Sequence, residues 1–184
     1  MKTSRPIFST IAILAIASLI LLSFTYDSSI TAKDQMILDW ERARLFSEEY
    51  LNAATDEVIV SKPTPEMRSF GEQMLHLTEA NYSIGSVAGG KTAPYTFGQL
   101  EKNADQYKTK TALTKAVLDS YDFVIGALKE TDEAKMNEMV KLFNFEMTRE
   151  QAFQKAFEHQ THHRGQTTVY LRLKGVKPPQ ERLF

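Results

Sequence analysis

Three of the four histidines in this chain fall within one octapeptide, HQTHHRGQ, running from His159 to Gln166. His159 and His163 are four residues apart, so on a helix they stack on one face. A pair of neutral imidazoles in that position is a ligand geometry for a divalent metal ion. At 3.6 residues per turn, His162 lies roughly 80° round from the centre of the pair and faces solvent. The fourth histidine, His76 in MLHLTEAN, falls at the flank of an apolar stripe. Turned inward, it brings a third imidazole to the pair. A facial three-histidine set leaves coordination positions open, the pattern of a catalytic ion rather than a closed structural one. The competing reading is a set of buried structural histidines, each of which must satisfy its nitrogens or lose about 1–3 kcal/mol.

The elements that must position these rings are helical. Four stretches show apolar residues at spacings of three and four. The first runs from about Asp34 to Ala54, with Ile37, Trp40, Phe46 and Tyr50 on its apolar side. The second opens at KPTPEM, with Thr64 as cap and Pro65 at the first helical position, and stops at Gly89-Gly90. The third, about Thr109 to Lys129, carries Leu113, Val117, Tyr121, Val124 and Leu128 on one stripe. In the fourth, Thr148 and Gln151 form a capping-box pair and Lys174-Gly175 marks the stop. Its inward stripe reads Ala152, Ala156, His159, His163, Gln166, Tyr170 and Leu173. Before it, the apolar heptapeptide Met139 to Phe145 is expected to run extended across the core, and no sheet is expected. Residues 89–108 form a connection far longer than a tight antiparallel turn needs. A crossover is therefore allowed, with the second and third helices parallel.

Ahead of the helices, MKTSRP supplies Lys2 and Arg5, and residues 7–24 contain no charge. A basic start and an apolar run read as a secretory signal peptide or a signal anchor, assigned to residues 1–32. At about 1.5 Å per residue the run reaches roughly 27 Å, near the lower limit for a bilayer span. Residues 33–184 are then one exported domain, periplasmic or membrane-anchored, and touch a membrane only through residues 7–24 if these stay attached. The balance of 22 basic and 23 acidic residues provides no field for nucleic acid. The absence of cysteine removes disulfides, thiol nucleophiles and thiolate metal sites.

PTPEMRSFGEQMLHLTEAN in the second helix and EHQTHHRGQ in the fourth, in this order and at this separation, resemble the DinB superfamily. LRLKGVKPP is similar to a typical ending of that family, and the likeness covers nearly all of residues 33–184. The resemblance implies an all-α, up-down-down-up four-helix bundle with a long crossover between helices 2 and 3. It also implies one divalent metal ion, zinc or nickel, held by His76, His159 and His163, with no ligand role for His162. Gln166 is then placed to orient a histidine or a bound water. Arg164 reads equally as an exposed charge in a surface pair.

Relatives that transfer or isomerise small molecules with low-molecular-weight thiols make an exported metal-dependent hydrolase or thiol-dependent transferase the leading expectation. Glu72 and Glu79, each within about one turn of His76, are the carboxylates that helix spacing brings nearest. Two further readings stand beside it. One is a non-catalytic metal-binding stress or sensor protein. The other is a helical interaction module with structural histidines, and there is room for a homodimer.

Overall fold

The computed structural model describes residues 30–184, so the apolar run 7–24 and its reading as a signal or anchor lie outside the described residues. In chain order the described elements are α1 (Ala32–Ala53), α2 (Asp56–Val60), α3 (Phe70–Gly89), α4 (Gln99–Lys102), a 3-10 turn (Ala104–Tyr107), α5 (Lys110–Glu130), a second 3-10 turn (Glu133–Lys135), β1 (Met139–Leu142), β2 (Phe145–Thr148) and α6 (Arg149–Leu173). The architecture is mostly helical, with one two-stranded sheet. None of the described helices is long and apolar enough to cross a membrane.

Capping sets the ends of the helices that carry the histidines. Ser69 Oγ accepts from the Glu72 backbone N–H at 3.1 Å, while Glu72 Oε2 accepts from the Ser69 N–H at 2.7 Å. This reciprocal box satisfies two donors that the helix start would otherwise leave orphaned. It starts α3 later than Thr64-Pro65, the expected position. Thr64 instead closes a turn onto the Met67 N–H at 3.1 Å, and Ser61 O receives the Phe70 N–H at 3.1 Å. At the other end Gly90 adopts φ 66°, a left-handed stop that glycine takes without steric cost. The box expected for α6 is present, with Thr148 Oγ1 accepting from Gln151 N at 3.1 Å and Gln151 Oε1 accepting from Thr148 N at 2.9 Å.

The expectation of a purely helical fold is corrected by the segment 139–148. It does not run as an apolar strap across the core. β1 and β2 pair antiparallel, with Met139 opposite Thr148 and Leu142 opposite Phe145, around a turn at Phe143-Asn144. Phe143 has φ 54°, a position that glycine usually holds in such a turn. With Phe there, the turn carries no composition signal. Only Leu142 of the hairpin is buried; Phe143 and Phe145 are 64 % and 68 % exposed.

α3 packs against both α5 and α6. Two glycines allow the approach to α5. A Cβ added at Gly85 would stand 2.9 Å from Val124 Cγ2, and one at Gly89 would stand 2.7 Å from Ala127 Cβ. α1 is joined to the rest through Trp40, which is fully buried and stacks edge-on with Tyr121 at 5.7 Å and Phe157 at 5.5 Å. Residues Lys33–Phe184 form one compact unit.

Candidate metal centre

His76 comes from the middle of α3, and His159 and His163 come from successive turns of α6. Packing of α3 on α6 brings the three rings together, with centroids 5.2 Å (His76–His159), 4.7 Å (His76–His163) and 4.3 Å (His159–His163) apart. One ligand nitrogen from each lies within 4.8 Å of the others. His159 Nε2 and His163 Nε2 are 3.1 Å apart. Two nitrogens held about 2.0–2.1 Å from a shared ion would be separated by roughly 2.8–3.4 Å, from right-angled to tetrahedral placement. The side chains present fit a divalent ion.

Behind the cluster stands a carboxylate that helix spacing did not reveal. Glu101, in α4, places Oε1 2.6 Å from His76 Nδ1 and Oε2 2.7 Å from Arg68 Nε. A carboxylate only accepts, so Nδ1 carries the proton and His76 Nε2 is free to serve as a ligand. Glu79 acts one layer further out. It is 2 % exposed, and its oxygens accept the backbone N–H groups of Gly98, Leu100 and Glu101, which pins α4 against α3. Helix spacing placed Glu79 near His76, and a carboxylate oxygen of Glu79 does lie within 4.8 Å of a His76 ring nitrogen, in a group with Glu101, while its hydrogen bonds go to the backbone that carries Glu101. Glu72 belongs to the helix cap and to an ion pair with Lys62 at 3.0 Å.

Electrostatics favour neutral rings on α6. Burial, followed by the neighbouring imidazole of His76, lowers His159 to about 4. Burial, then His159 and His76, lowers His163 to about 3. Both are neutral imidazoles at pH 7, the state that metal ligation requires. Their Nδ1 atoms are buried without a hydrogen-bond partner, so neither has the backing carboxylate that His76 has.

Three expectations for α6 need separate accounts. His162 is exposed and stands outside the three-ring group. Gln166 is exposed rather than on the inward stripe. Its Nε2 lies 3.1 Å from His162 Nε2. Gln160 takes the buried place instead, fully enclosed. Arg164 is not an exposed surface charge: it is 7 % exposed, and Nη1 donates to Gln160 Oε1 at 2.7 Å.

Beside the cluster the hairpin and α6 border an open groove of about 690 Å³. Ile84, Leu142, Phe143, Phe145 and Met147 line it, and His159 and His162 stand on its wall. His159 therefore belongs to both the cluster and the groove.

Three histidines meet on two packed helices, backed by a carboxylate from the long connection between α3 and α5. The chain belongs to the DinB family, whose model matches residues 27–182. An uncharacterised protein of Bacillus subtilis, YrdA, is 24 % identical over 151 residues, covering 79 % of this chain and 85 % of that protein. Among solved structures, a DinB-like protein of Bacillus cereus superposes with a TM-score of 0.66 at 21 % identity, covering 80 % of this chain and 95 % of that one. A second DinB-like protein, YjoA of B. subtilis, gives 0.61 at 21 % identity over 82 % and 96 % of the two chains.

Proposed function

We propose that this chain is an exported metal-dependent enzyme of the DinB family, a hydrolase or a thiol-dependent transferase. In this reading His76, His159 and His163 hold one divalent ion, zinc or nickel. The observation that carries it is the convergence of three imidazoles, two of them with Nε2 atoms 3.1 Å apart and the third held from behind by Glu101. α1, α3, α5 and α6 are read as an up-down-down-up bundle, a topology supported by the packing of α3 on both α5 and α6 and by the long crossover between α3 and α5.

The groove favours turnover over a sensor role. At about 690 Å³ it matches the volume of small-molecule sites, and its apolar lining ends at His159. A bound divalent ion supplies Lewis acidity toward a substrate group at the cluster. Glu101 holds the His76 ring with Nε2 inward, and the hairpin aromatics offer an apolar surface to the substrate's apolar part. An electrophile of modest size with an apolar body is the substrate class that fits.

The deciding experiment is metal analysis of the full-length chain, purified without a metal-binding tag and then incubated with zinc or nickel. About one equivalent per chain is expected, as a single three-ligand site requires. Binding of neither metal overturns the reading. Export is tested by fractionating the native host, where a full-length soluble cytoplasmic product contradicts it.

A further inference from the structure

We propose that the chain carries a second small-molecule site, separate from the histidine cluster, where Arg164 receives the oxyanion of an organic carboxylate or phosphate ester with an apolar body. The site lies between α1, α6 and the C-terminal residues 178–183.

The first observation is a buried cation without a counter-charge. Arg164 is 7 % exposed, yet every acceptor it has among the described residues is uncharged: Gln160 Oε1 at 2.7 Å, Ala43 O at 3.4 Å and Ser47 Oγ at 3.5 Å, all through Nη1. The Phe46 ring lies 4.7 Å from the guanidinium carbon. The polar groups behind it are neutral as well. Tyr121 donates to Gln160 Oε1 at 2.8 Å and therefore accepts from Ser47 Oγ at 2.6 Å, and burial pushes the Tyr121 phenol up, away from ionisation. A guanidinium is always charged, and withdrawing it from water without an anionic partner is costly. The remaining donors, Nε and Nη2, have no partner among the described residues.

The second observation is where Arg164 faces. A cavity of about 460 Å³ opens in front of it, with Arg42, Arg172 and Arg182 at its rim and Glu181 as the one acid. Arg42 pairs with Asp39 at 2.9 Å, and Arg182 pairs with Glu49. Arg164 and Arg172 are left without a carboxylate among the described residues. Between the charges the walls combine apolar and aromatic side chains, Phe46, Tyr50, Phe157 and Pro178, with the hydroxyls of Thr161 and Thr168. Arg42 Nη1 donates to Arg182 O at 2.8 Å, which holds the C-terminal segment across the opening.

A planar fork with free donors at the base of an apolar chamber recognises a two-oxygen or three-oxygen anionic head on an aromatic or aliphatic body. The site is independent of the metal reading. His163 and Arg164 are adjacent, but the helical turn between them sends one ring to His76 on α3 and the guanidinium to Ala43 and Ser47 on α1.

The test is calorimetric titration of the full-length chain in mild non-ionic detergent, stripped of metal and dialysed, with benzoate, phenyl phosphate and inorganic phosphate. Saturable one-to-one binding of benzoate or phenyl phosphate is expected, about tenfold tighter than inorganic phosphate. The better of the two aromatic probes distinguishes a carboxylate ligand from a phosphate ester. Arg164→Gln should weaken binding at least about tenfold and Arg172→Glu, at the exposed rim, by about fivefold, while His163→Ala leaves it unchanged. Arg172→Glu keeps the test decisive if Arg164→Gln fails to fold. Absence of saturable binding by the two aromatic probes overturns the proposal. So does binding that neither arginine variant alters, or binding that His163→Ala abolishes.

Discussion

His76 Nδ1 and Glu101 Oε1 lie 2.6 Å apart although Glu101 comes 25 positions later in the chain, and this contact ties the long connection after α3 to the histidine cluster. Glu101→Ala should leave the fold intact and lower zinc affinity about 10–100-fold, the usual cost of losing a partner behind a ligating histidine. Competition with a chelator of known affinity measures this. Unchanged affinity would show that His76 needs no such support.

Ligand identity is tested by contrast. His159→Ala, His163→Ala and His76→Ala should each sharply reduce metal content, while His162→Ala leaves it nearly unchanged, because His162 stands outside the group. Equal losses from His162→Ala and His163→Ala would sink the assignment.

Acid should destabilise the metal-free protein. Unfolded histidine titrates near 6.5, whereas His159 and His163 are held at about 4 and about 3. Between those values the unfolded chain binds more protons than the folded one. The stability these neutral rings contribute is therefore complete above about pH 6.5 and is lost as pH falls through 4 and then 3. Melting temperature of the metal-free chain should rise with pH across this window and fall as the solution is acidified. In a His159→Gln, His163→Gln double variant the slope should flatten, and an identical profile would contradict the argument.

Two glycine substitutions should act in opposite directions. Gly89→Ala places a Cβ 2.7 Å from Ala127 Cβ, so α3 and α5 must separate, at a cost of about 1–3 kcal/mol. Gly126→Ala meets nothing within 4 Å inside α5 and should gain about 0.5–1 kcal/mol from a stiffer unfolded chain and better helix propensity. Chemical denaturation reads both, and a stabilised Gly89→Ala would refute the close approach.

The His159–His163 pair was legible because i, i+4 spacing on a helix is a local signal, and so were the Thr148 box and the Gly90 stop, whereas His76, at the flank of its stripe, was joined to the pair only through the family resemblance. Glu101 was not. Its nearness to His76 depends on how the connection after α3 folds back, which Glu79 dictates by gathering three backbone N–H groups, and no spacing rule spans that distance. The start of α3 was misread because a single Thr-Pro cap looked sufficient, whereas the Ser69–Glu72 pair satisfies two donors. The hairpin was hidden by Phe143, an unusual residue for a left-handed turn position. Arg164 and Gln166 were misplaced because the inward stripe of α6 drifts toward Gln160 and Thr167.

The histidine cluster joins parts of the chain that are remote in sequence, with His159 83 positions beyond His76 (159 − 76). An ion held there would work as a cross-link in a protein that has no cysteine to make one. Closing a loop of that length restricts the unfolded ensemble much as a disulfide does, by roughly 4–5 kcal/mol in the chain-entropy description. Unlike a disulfide, such a link is opened by a chelator rather than by reduction. The durability of the fold would then follow the free metal concentration around it.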